Sequence, residues 1–217
     1  DQYGRDLLTR IIYGARISLI VGFVSVAISM IIGVALGLTA GYYGGIVDNI
    51  IGRIIDVFLS FPVLLLAIAL VAVLGAGTYS VIIALCVVQW TQYARVVRSS
   101  VLSIREEEYV MAARTIGASN ARIMFRYVLP NALAPVIVIA TLGIGTAIVS
   151  EATLSFMGLG VQPPTPSWGY ALSFGLRYMR MAPHLSLFPG LAIMFTVLGF
   201  NLLGNGIRDV TDPRMIN

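Results

Sequence analysis

Residues 105–130 read REEEYVMAARTIGASNARIMFRYVLP, the longest polar interruption in a chain of mean hydropathy +0.91. Arg105, Glu106, Glu107, Glu108, Arg114, Arg122 and Arg126 stand here between two strongly apolar runs. In a membrane protein a short Arg-rich connection of this kind is expected on the cytoplasmic side. Tyr109, Ala112, Ala113 and Ile116 recur at spacings of three and four, which predicts a helix with one apolar stripe. Gly117 offers a break, and Ser119 or Asn120 can cap a second short helix that ends at Pro130. A helix–turn–helix with an apolar stripe and charged edges suits the groove of another protein. A hairpin packed on its own bundle fits the same pattern, and both readings stand at this point.

The runs on either side decide the class. Of 217 residues, 58% are hydrophobic and 11% charged, whereas about a quarter are charged in a soluble domain. Thirty-one residues without a charge separate Arg16 from Asp48, and 38 separate Asp56 from Arg95. A hydrocarbon core of about 30 Å needs roughly 20 apolar residues of helix. The chain is therefore read as an all-α, polytopic transmembrane helical bundle. All 14 basic residues are Arg, and the missing Lys excludes a P-loop. Any ATP must then be bound by another chain. The net charge of +4 follows from cytoplasmic Arg bias, and nucleic-acid binding is not expected.

Five spans are expected, near 17–42, 48–75, 79–103, 131–150 and 187–206. Residues 1–16 group Leu7, Leu8, Ile11 and Ile12 on one face, which predicts a separate short helix in the membrane interface. Gly33, Gly37 and Gly41 recur every four residues in the first span, a ridge that lets helices approach closely. Tyr42 and Tyr43 follow at the expected membrane–water boundary. Arg53 and Asp56 are three apart and suited to pairing on one helix face. Pro62, after Phe61, predicts a kink that lines a pathway or is simply structural. Glu151, at the end of the fourth span, is a candidate for contact with substrate or a neighbouring helix near an outer gate. An interfacial residue in water is the plainer reading of it, and is taken first. Gly and Pro crowd residues 158–186, an expected outer loop with a short helix near 168–179 anchored by Trp168, Tyr170 and Tyr178. With the 105–130 loop inside, nine arginines, Arg208 and Arg214 among them, fall at or near the inner side and five outside. Residue 1 is then outside and the C-terminus inside.

Ala112-Ala113, three residues, Gly117, nine residues and Tyr127-x-Leu129-Pro130 resemble the EAA loop of ABC-transporter permeases, with Met111 where that family usually has Glu. GRD at 4–6, YGARISL at 13–19, DNIIGRIIDVFLSFP at 48–62 and SFMGLGVQPPTPSWG at 155–169 extend the resemblance along the whole chain, to the C-type permeases of dipeptide and oligopeptide importers. The resemblance implies a single permease domain over 1–217 with the type I ABC importer fold, one further span upstream, and a location in the inner (cytoplasmic) membrane. It also implies a coupling helix seated in an ATPase cleft, its residues being Glu107, Glu108, Tyr109, Met111, Ala112, Ala113, Arg114, Gly117 and Ala118, with Leu129 and Pro130 beyond. Phe61, Pro62 and Glu151 are candidates for the substrate path. Implied partners are a paralogous permease, two cytoplasmic ABC ATPases that hold ATP and Mg, and an extracytoplasmic binding protein. Di- or oligopeptides are the implied substrate, with glutathione or nickel chelates as the alternative.

No catalytic or metal constellation emerges from the residues. His184 is a lone loop histidine, Cys86 is the single cysteine, and three consecutive glutamates splay around a helix start that their charge favours. No cofactor is expected on this chain. A stand-alone carrier would keep ionisable groups near the span centres, which are nearly free of them here. A membrane scaffold would not need a loop shaped for an ATPase.

Overall fold

The computed structural model describes residues 4–211; Arg214, counted above toward the inner side, lies outside them. All regular structure among the described residues is helical. In order these are α1 (Leu7–Tyr43), α2 (Gly45–Leu59), α3 (Val63–Leu74), α4 (Thr78–Ile104), α5 (Glu108–Thr115), α6 (Asn120–Ile123), a π turn at Met124–Val128, α7 (Leu129–Phe156), α8 (Trp168–Leu176) and α9 (His184–Thr211). α1, α4, the α6–α7 unit and α9 are each long and apolar enough to cross a bilayer, and α2 with α3 makes a broken fifth candidate.

The expected separate helix over residues 1–16 does not form. α1 starts at Leu7, where the Asp6 carboxylate accepts the Thr9 amide at 2.7 Å, and runs unbroken to Tyr43. No proline interrupts this stretch, and Gly14 packs against Trp168 rather than opening a turn. At 1.5 Å per residue the helix is about 55 Å long, well beyond the hydrocarbon thickness.

α1 and α4 form the centre of the bundle. Lipid tails are as apolar as leucine, so membrane helices associate through close packing rather than through exclusion of water. The α1 glycine ridge supplies it: a Cβ at Gly33 would lie 2.6 Å from the Trp90 carbonyl oxygen, and one at Gly41 2.8 Å from the Val101 Cβ. Ser18, Ser25 and Ser29 continue the small-residue face and are fully buried. Ser25 returns its hydroxyl to the Val21 carbonyl at 2.6 Å, so the seam carries no unpaired polar group there. α7 closes the third side through Ile144, Ala147 and Ile148. α9 lies outside on α7, where Gly204 meets Leu142, and leaves Phe195, Leu198 and Leu202 exposed.

The second span is broken rather than kinked. α2 ends at Leu59, α3 begins after Pro62, and the two axes differ by 87°. Pro62 has no amide hydrogen to continue the helix and biases Phe61 away from helical geometry. α2 tracks α4: Asp48 lies beside Arg98, Asp56 beside Arg95, and Phe58 against Trp90 at 5.7 Å between ring centroids. Asp56 is thus engaged between helices, not by Arg53 within its own.

Gly33→Val should destabilise the protein by about 3 kcal/mol, the upper end for overpacking, because backbone and not a movable side chain blocks the added atoms. Gly52→Ala, with nothing within 4 Å of the added atom, should leave stability unchanged or raise it. Thermal unfolding in detergent compares the two.

Candidate functional site: the α5–α6 loop and the polar junctions of the bundle

α5 lies between two halves of its environment. Val110 and Ala113 are buried against the bundle, while Tyr109, Met111, Ala112 and Ile116 are exposed, Ile116 by 81%. The stripe expected from sequence therefore divides. Ala113 belongs to the packed face, and Tyr109, Ala112 and Ile116, at positions i, i+3 and i+7, form an outward ridge. Glu107 precedes the helix and Glu108 sits in its first turn, where negative charge favours the helix dipole. Partial burial, with the Glu107 charge second, raises the Tyr109 hydroxyl above its ordinary range.

The end of α5 is fixed by backbone geometry. Gly117 has φ +78°, donates to the Arg114 carbonyl at 3.0 Å, and lets Ala118 donate to the Ala113 carbonyl at 3.1 Å. These two bonds make a Schellman motif, with the glycine at its left-handed position. Ala118 packs against the core from the far side of the turn. Ser119 caps α6, accepting the Arg122 amide at 3.4 Å. The second helix does not stop at Pro130 as expected. The chain widens into the π turn, where Leu129 donates to the Met124 carbonyl five residues back, and Pro130 then falls in the first turn of α7. Proline has no amide to donate to the preceding turn, and it follows directly on the stretch where the helix is widened. Leu129 is half-buried and Pro130 exposed, at the junction of the π turn and α7 rather than on α5.

Three contacts tie the loop to the end of α1. The Tyr42 hydroxyl donates to Asn120 Oδ1 at 3.0 Å, the Arg114 guanidinium lies 5.6 Å above the Tyr42 ring, and Arg105 Nη1 donates to the Gly41 carbonyl at 2.9 Å. Tyr42 was expected at the water boundary; it is buried and acts as the anchor. Sequence reasoning missed it, with Val110 and Asn120. Val110 alone left a signal, since it stands three residues before Ala113 on one helical face.

Glu151 is not in water. It is fully buried between α7 and α1, accepting the Ser18 hydroxyl at 2.9 Å and the Ser155 hydroxyl at 2.7 Å. Ser155 Oγ in turn accepts the Val161 amide at 3.1 Å. The expectation of an interfacial carboxylate fails because the turn beyond Phe156 folds residues 157–161 back over the helix end. Nearby, Trp168 Nε1 donates to the Ile11 carbonyl at 2.9 Å, tying α8 to α1. The other path candidates, Phe61 and Pro62, are exposed at the break between α2 and α3, whereas Glu151 is buried against α1.

A family model described as "Binding-protein-dependent transport system inner membrane component" matches residues 33–217. The chain is 53% identical over 215 residues to the dipeptide transport system permease protein DppC of Alkalihalophilus pseudofirmus, covering 99% of this chain and 71% of that protein. It is 50% identical to the glutathione transport system permease protein GsiD of Salmonella typhimurium, with the same coverage. It is 46% identical to the di/tripeptide transport system permease protein DppC of Pseudomonas aeruginosa, covering 100% of this chain and 72% of that protein. Among solved structures, a chain of the MetNI methionine ABC transporter in an inward-facing form superposes with a TM-score of 0.74 at 22% identity, over 95% of this chain and 97% of that one.

Gly117→Ala should loosen the α5 turn by about 1 kcal/mol, because alanine is strained at positive φ. The Ala118 amide should exchange its hydrogen about fivefold faster. Glu151→Ala strands two buried hydroxyls and should cost about 1–3 kcal/mol. Thermal unfolding in detergent, with amide exchange at Val161, measures the second effect.

Proposed function

Because the chain belongs to the family of binding-protein-dependent transport system inner membrane components, we propose that it carries short peptides across the inner membrane as a permease subunit of an ATP-driven importer. It is a multi-pass ABC-importer permease and not itself an enzyme; ATPase and substrate-binding subunits complete such importers. A stand-alone carrier or a scaffold, both open from the residues alone, is set aside by this membership.

The observation that carries the coupling role is the ridge on α5. A helix of eight residues does not hold its shape alone in water. Here it is locked by Val110, Ala113, the Gly117 turn and the Tyr42 anchor, yet it presents Tyr109, Ala112 and Ile116 outward. An exposed apolar helix face on a rigid support fits an apolar groove on a partner. The partner is an ABC ATPase, which places the loop and the C-terminal end in the cytoplasm, with ATP and Mg held by the ATPase pair. Glu107, Glu108 and Met111 flank the ridge; Arg114, Gly117 and Ala118 hold its end in place. A second, paralogous permease completes the membrane-embedded part, and an extracytoplasmic binding protein delivers the substrate. This chain supplies no cofactor site of its own.

Transport is an exchange between two states, and ATP drives it only by favouring one. α5 transmits that preference because its inner face is continuous with the α1–α4 core. The relatives named for dipeptides, di/tripeptides and glutathione share one substrate chemistry, a short peptide with charged ends, and that class is assigned here.

Ile116→Asp places a charge on the ridge without touching the buried face. In liposomes holding the complete importer, uptake should fall at least about tenfold while ATP hydrolysis by the ATPases persists, an effect of roughly 1.4 kcal/mol or more on productive docking. Wild-type uptake by this variant would remove α5 as the coupling element. Val110→Asp, by contrast, should detach α5 from the bundle and lower the stability of the whole chain, since it buries an unpaired charge.

A further inference from the structure

α2 has three faces. Ile51, Ile55 and Phe58 pack toward α4, around Trp90 and Ala94. Ile46, Ile50, Ile54 and Val57 form an exposed apolar stripe that suits lipid. The third face carries Asp48, Asn49, Gly52, Arg53 and Asp56, and α4 turns Arg95 and Arg98 toward it, around a cavity of about 250 Å³. Charged side chains within spans are costly and face water-filled passages or partners rather than lipid. Three of them on one side of α2, opposite an apolar stripe and facing two more from α4, mark the side that meets water.

The two ion pairs in this groove differ in kind. Asp48 and Arg98 form a bidentate pair, Nη2 to Oδ2 at 2.8 Å and Nε to Oδ1, both side chains partly buried. That geometry is structural and pins α2 to α4. Asp56 and Arg95 are 3.6 Å apart with side chains 69% and 59% exposed. Such a solvated pair holds little energy, so either charge can change partner at small cost. Arg53, exposed on the same face, adds a second cation. Phe61 and Pro62 are exposed just beyond, where α2 breaks.

We propose that the groove formed by Arg53, Asp56 and Arg95 is a relay site on the peptide path, where Asp56 receives the ammonium end and Arg95 with Arg53 the carboxylate end of a zwitterionic peptide. Asp48 and Arg98 are positioning residues that hold its walls. The inference rests on the peptide-permease reading above and assigns this chain's own residues to that substrate.

The complete importer in liposomes, supplied with radiolabelled alanyl-alanine, tests it. Asp56→Asn and Arg95→Gln should each lower uptake per ATP hydrolysed about tenfold, the factor given by losing one charged hydrogen bond of about 1.4 kcal/mol. ATPase stimulation by the binding protein should be unchanged, showing an intact assembly. The exchanged double variant, Asp56→Arg with Arg95→Asp, should not recover uptake. In a Cys86→Ser background, Asn49→Cys should react with a membrane-impermeant thiol reagent, and more slowly during dipeptide turnover. Wild-type uptake by both single variants overturns the site, as does recovery in the exchanged variant, which would make the pair merely structural. A labelling rate that dipeptide leaves unchanged also overturns it. If the wild-type importer moves no dipeptide at all, the peptide-permease reading fails first and this inference with it.

Discussion

The approach of α1 to α4 along the Gly33–Gly37–Gly41 ridge is the contact on which the remaining structure depends. In lipid, apolar surface is not driven together by water, so two helices hold only where their backbones can come close. A side chain larger than hydrogen at Gly33 or Gly41 would overlap the facing helix. Everything that touches both membrane faces is then hung on this seam. α7 packs on its third side, α2 follows α4 downward from the same pair, and α9 lies mainly on α7 while touching α1 through Phe200 against Phe23.

The seam also explains why the polar loop is ordered. Tyr42 and Gly41 are the last residues of the ridge, and both bond to the 105–130 segment, through Asn120 and Arg105. Arg114 covers the same tyrosine ring. The α5 ridge is thereby presented at a fixed angle without any large hydrophobic contact of its own. Its two buried residues, Val110 and Ala113, suffice because the anchor removes much of the freedom that an isolated short helix would have to lose.

What was legible in the chain were features with a period or a breaker. The apolar runs located the spans, the every-fourth glycines located the seam, and Gly117 and Pro62 marked a turn and a break. Features set by tertiary proximity were not legible. Glu151 reads as a boundary carboxylate because nothing near it in sequence announces Ser18, which is 133 positions away. Tyr42 reads as an interfacial tyrosine for the same reason, its partner Asn120 lying 78 positions on. The helix over 1–16 was expected to be separate because its amphipathic pattern differs from the span that follows. Hydrogen bonding along the backbone ignores that change, and without proline or a left-handed residue the helix simply continues. Asp56 pairs across to Arg95 rather than to Arg53, a choice fixed by how α2 lies along α4 and not by helical spacing.

α1 is fastened at both of its ends. Toward its start, Ile11 holds Trp168 and Ser18 holds Glu151; at its finish, Tyr42 and Gly41 hold the loop. Between these points it is one uninterrupted rod with no proline. A rod so tied acts as a lever: pivoted near one end, a tilt of about 5° displaces the other by ~5 Å over a length of about 55 Å. The loop anchored at Tyr42 and the turn that covers Glu151 are thus joined by one continuous helix, with no break along it that could absorb a tilt.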